Sequence, residues 1–131
     1  MREDMNTKAY HAQNEGKHLV CVDALRVMII KDGKSWFAQG LEIDYASAGS
    51  SVEEAKKNFG LGLKMTIGEH LQMYGHIENL LQVAPQEAWN EYINSGALKM
   101  DYSTVQLHDL GIEPLSRLSE IVFLQPVAQA A

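Results

Sequence analysis

A chain of 131 residues, 46% of them hydrophobic and 21% charged, has the make-up of one globular domain and excludes a disordered polypeptide, which could not bury enough apolar surface to offset its ordering entropy. Seventeen acids against eleven Lys and Arg give a formal net charge of −6, the wrong sign for nucleic-acid binding, where cations displace counterions, and a suitable one for steering a basic partner. With Cys21 the only cysteine, no intrachain disulfide or thiolate metal cluster is expected. The chain also has no signal-like start and no apolar run of about 18 residues, so a cytoplasmic setting away from the membrane is expected.

Residues 1–18 are polar and without periodicity, and read as a flexible lead-in to a single domain over 19–131. From Leu19 to Lys31 the chain turns aliphatic. Leu25, Val27 and Ile29 alternate with Arg26, Met28 and Ile30, the period of a strand. Asp32-Gly33-Lys34 supplies a hairpin turn. Ser35–Gln39 and Ile43–Ala48 then give two more strands around a bend at Gly40, completing a three-stranded antiparallel meander.

Ser50-Ser51-Val52-Glu53-Glu54 holds two overlapping capping boxes and opens a long helix. Its stripe is Val52, Ala55, Phe59, Leu63, Ile67 and Leu71, spaced by three or four residues as in a helix packed on a sheet, and Gly75 is its left-handed stop. Gly60 and Gly62 weaken the middle of that helix and imply close approach to neighbouring backbone. A short turn over 77–83 and a helix from Pro85 to Asn94 follow. Two strand-like runs, Tyr102–Leu107 and Leu118–Leu124, are separated by Gly111 and Pro114, and Gln125–Ala131 reads as a loose tail. The fold class expected is α+β: a meander and one long amphipathic helix, with a further helix and C-terminal strands.

No catalytic constellation is visible. His11, His18, His70, His76 and His108 include no pair at helical ligand spacing, and no HExxH or GxSxG motif occurs. A two-metal nuclease of the RNase H type needs a carboxylate in the middle of its first strand, and Arg26-Val27-Met28-Ile29 has none. Gly60-Leu61-Gly62 lies inside a helix, where it cannot cradle phosphate. No catalytic residue, metal ligand or cofactor site is therefore expected.

The ordered pattern Ala24–Gly33, Ser35-Trp36-Phe37-Ala38, then Ala48-Gly49-Ser50-Ser51-Val52-Glu53-Glu54-Ala55 resembles the HicB-like antitoxin family over residues 24–72. The resemblance implies a truncated RNase H-like β-β-β-α unit, commonly in a dimer, that neutralises a small basic RNA-cleaving toxin of the HicA type. Phe59–Trp89 looks like a distinct bacterial or phage-borne branch of that family. Where many relatives have an LPGC-like turn, this chain reads Leu41-Glu42-Ile43-Asp44-Tyr45, and its C-terminal third is neither basic nor two clean helices. DNA binding is therefore not expected.

The function expected is a non-catalytic protein-binding module, with Glu42, Asp44 and Trp36 as its candidate partner-binding residues. The alternatives are a metal-dependent nuclease or small-molecule enzyme on the same truncated fold, or an oligomeric structural protein of a mobile element. A homodimer is expected because a meander leaves strand edges to cover.

Overall fold

The computed structural model describes residues 8–14, 17–23, 25–106 and 117–127. The aliphatic run expected as one strand is divided in two, β2 (Lys17–Asp23) and β3 (Arg26–Asp32), which continue one register along a common neighbour, β7 (Arg117–Pro126). At the break, the Leu25 carbonyl accepts the Val122 N–H at 2.8 Å. β3 turns into β4 (Ser35–Gly40), and β4 pairs with β5 (Ala46–Gly49), so the expected antiparallel meander is present. Its third strand starts later than expected, because residues 41–43 bend and turn Leu41, Glu42 and Ile43 inward.

Among the described residues the meander is part of a larger mixed sheet of seven strands. β7 lies parallel to β3 and antiparallel to β6 (Leu98–Gln106), giving the order β5-β4-β3-β7-β6 across the domain. β1 (Lys8–Asn14) pairs with β2. The lead-in expected over 1–18 thus contains β1 and the start of β2. The sequence Lys8–Asn14 has no apolar alternation, so nothing in it marked a strand. Residues 1–7, 15 and 16 lie outside the described residues, as do Ala24, His108, the Gly111–Pro114 interruption and the tail from 128. Gln125, expected to begin a loose tail, is instead buried within β7.

Helix α1 (Val52–Tyr74) covers one face of the sheet. Ala55, Phe59, Leu63, Ile67 and Leu71 are buried against Leu25, Val27, Ile29, Ile121 and Phe123, and Val52 is half-buried at the edge. Of the two capping boxes, Ser51 and Glu54 form the one used. The Glu54 N–H donates to Ser51 Oγ at 3.1 Å, and the Glu54 carboxylate accepts the Ser50 N–H at 2.7 Å. Gly75, at φ 76°, closes the helix by donating to the Leu71 carbonyl. Gly62 has a packing reason: a methyl group there would collide with the Tyr45 hydroxyl, and the Tyr45 ring sits edge-on to Phe59 at 5.3 Å. Lys56 ties α1 to β6 through Asp101 at 2.9 Å, a hydrogen bond that holds the Asp101 carboxyl below its ordinary pKa.

The second face, which the alternation left to Arg26, Met28 and Ile30, is covered in part by α2 (Gln86–Asn94). Met28, Leu41, Ala84, Ala88 and Leu124 form a smaller core there, edged by Trp89 and Tyr92. The described residues are therefore α+β in three layers, with one α-helix on each face of the sheet.

Candidate functional site

On this second face Arg26 opens β3 beside the buried Leu25, Val27 and Met28, where an unpaired charge would carry a large desolvation cost. Glu42 meets that demand. Its carboxylate accepts the Arg26 backbone N–H at 2.9 Å and the guanidinium Nε at 2.6 Å. Tyr92 Oη accepts from Arg26 Nη1 at 3.2 Å, and the guanidinium lies over the Trp89 and Tyr92 rings, 5.3 and 5.1 Å from their centroids. Burial pulls the Arg26 pKa down, but Glu42 and Tyr92 more than offset it and hold it above its ordinary value. This cluster fastens α2 to the sheet through β3 and the 41–45 bend.

Among the described residues, nothing covers the sheet beyond the fastened helix. Between α2 and the meander runs a groove of about 520 Å³. Ile30, Phe37 and Ala46 form its floor, while Pro85 and Ala88 make the helix wall. Asp32, Glu87 and Glu91 stand on its rim, all exposed. Lys31 also borders it, but the Lys31 ammonium lies 5.5 Å from the Trp36 ring centroid on the opposite face of the hairpin. Apolar floor and acidic rim together make an open trough whose base is apolar and whose edges carry negative charge.

The three residues that the sequence nominated for a partner part company. Asp44 is exposed and is joined to the groove through Gln39, whose Nε2 donates to Asp44 Oδ1 at 3.4 Å. Trp36 is half-buried and packs against the α1 core, on the other face from the groove. Glu42 needs correction: at 7% exposure it is spent on Arg26 and displays no charge to solvent. Its inward turn follows from the 41–45 bend, which a strand reading starting at Ile43 does not anticipate. Glu87 and Glu91 were missed because the sequence marks a helix from Pro85 to Asn94 but not the sheet face against which it lies. The signal for them was Arg26, a charge amid apolar residues on the face that α2 covers.

Among the described residues, no group of three or more His, Cys, Asp and Glu could hold a metal ion, and no helix is long and apolar enough to cross a membrane. His70 pairs with Tyr74 at 5.3 Å, and Tyr74 stacks on His76 at 6.0 Å, near the C-terminal end of α1. No family model matches the chain, and no curated protein or solved structure does either.

Proposed function

We propose that this chain is a protein-binding module of the HicB-like antitoxin kind, without hydrolytic activity of its own, whose groove between α2 and the meander takes a basic segment of a small RNA-cleaving partner. The observation that carries the reading is the groove itself: an apolar floor of Ile30, Phe37 and Ala46 beneath the acids Asp32, Glu87 and Glu91. The order β3-β4-β5-α1, with its Asp-Gly turn and capped helix start, supports the family resemblance. Exposed acids on a rim govern association rate and salt dependence, while a desolvated floor supplies affinity.

The reading separates those two contributions by experiment. Reversing both rim charges of α2, Glu87→Lys with Glu91→Lys, slows association with the basic partner by about tenfold at low ionic strength and flattens its salt dependence. Both side chains are exposed, so the thermal midpoint stays within a few degrees of the parent. Association kinetics followed by surface plasmon resonance at several salt concentrations give the answer. An on-rate that ignores the double reversal would place the contact elsewhere.

A further inference from the structure

Strand β6 stands at the margin of the sheet, and among the described residues its strand partner is β7 alone. The parity of that ladder shows which backbone groups face outward. The Val127 N–H donates to the Ala97 carbonyl at 3.1 Å, and Leu98 faces Pro126, which has no N–H to give. Lys99 and Asp101 therefore aim their N–H and C=O groups at β7, and Leu98, Met100 and Tyr102 aim theirs away from it. Outward rows of this kind are a template for another strand. Met100 and Tyr102 add side chains that are 55% and 64% exposed, of types enriched at interfaces. The opposite margin, β5, is only four residues long, which blunts its edge.

We propose that the occupant is a second copy of this chain, with the two β6 strands paired antiparallel about a two-fold axis at Met100. That register is complementary to itself. Lys99 comes opposite Asp101 of the second copy, and the symmetry repeats the pair, giving two cross-strand ion pairs on one face. On the other face Leu98 lies opposite Tyr102 and Met100 opposite its own copy. These three are the residues whose backbone groups point outward, so they fall at the hydrogen-bonded positions. Centring the axis on Leu98 or on Tyr102 would set Lys99 against Ala97 or Val105 and lose both ion pairs. Asp101 is 56% exposed in its side chain while bonded to Lys56, which leaves it room for a second cation. The outcome is one continuous sheet through two domains, with the two grooves on its outer parts.

Light scattering and sedimentation on the full chain test this through three variants. The parent is expected to show the mass of two chains at micromolar concentration. Met100→Pro removes an outward N–H that β7 does not use, so it is expected to give monomers with an unchanged far-UV spectrum. K99D and D101K each set like charges across the axis and weaken the dimer by roughly tenfold. An equimolar mixture of those two variants restores it, because one chain then offers acids at both positions and the other lysines. If D101K loses its fold along with the Lys56 contact, K99D and Met100→Pro still decide the matter. A monomeric parent would overturn the proposal. So would a dimer that folded Met100→Pro and K99D chains still form as tightly, or an edge that takes up strands of another protein and never its own copy.

Discussion

Phe59→Ala is expected to cost about 3–5 kcal/mol, enough to leave the domain barely folded at room temperature. Phe59 is fully buried where α1 crosses the meander. It meets Tyr45 edge-on at 5.3 Å and Phe123 at 6.1 Å, so one ring joins the 41–45 bend, the helix and β7. Truncation removes a large apolar area, breaks two aromatic contacts and leaves a cavity bounded by elements far apart in sequence, which cannot collapse together cheaply. A thermal melt is the check, with a fall in midpoint of more than about 10 °C expected. An unchanged midpoint would mean that α1 packs in another register.

Glu42→Ala is expected to cost about 3 kcal/mol, because it strands a mostly buried guanidinium and an N–H that have no other acceptor of comparable quality. The neighbouring Asp44→Ala, with its carboxylate in water, stays within about 0.5 kcal/mol of the parent. The contrast is the test, since the two acids are two residues apart and look alike in the sequence. Replacing both members of the pair, Arg26→Met with Glu42→Leu, is expected to recover most of the loss, as a buried ion pair is harder to break than to replace. Urea denaturation of the four proteins measures each term. Equal costs for Glu42→Ala and Asp44→Ala would show that the pair is solvated. Glu42→Ala also loosens the Arg26 guanidinium on which Trp89 and Tyr92 of α2 rest, so it should weaken partner binding through the groove wall without touching a rim charge.

The parts of this fold written in local pattern were legible. Alternation over residues 25–30 marked β3 and its two faces, the Asp-Gly turn marked the hairpin, and the stripe from Val52 to Leu71 marked α1 with its cap and stop. Pairing between distant segments was not legible. Nothing in Leu118–Leu124 says that it runs parallel to β3 between β3 and β6, because strand order depends on which edges meet after collapse. β1 escaped notice because Lys8–Asn14 has no apolar alternation, while its main chain bonds to β2. The site suffered most from this. Glu42 and Asp44 were read as equivalent displayed acids until the bend turned one of them onto Arg26. The groove exists only where α2 lies across a sheet face, and no residue spacing within α2 reveals that.

The most direct measurement of the central claim is inhibition of RNA cleavage. The account predicts that the gene for this chain adjoins one for a short, basic, RNA-cleaving protein. Titrating that protein with this chain should abolish cleavage at a fixed stoichiometry, with inhibition weakening as salt rises and in the chain carrying Glu87→Lys and Glu91→Lys. Undiminished cleavage under excess chain at low ionic strength would contradict the account, as would RNA cleavage by this chain alone in magnesium or manganese.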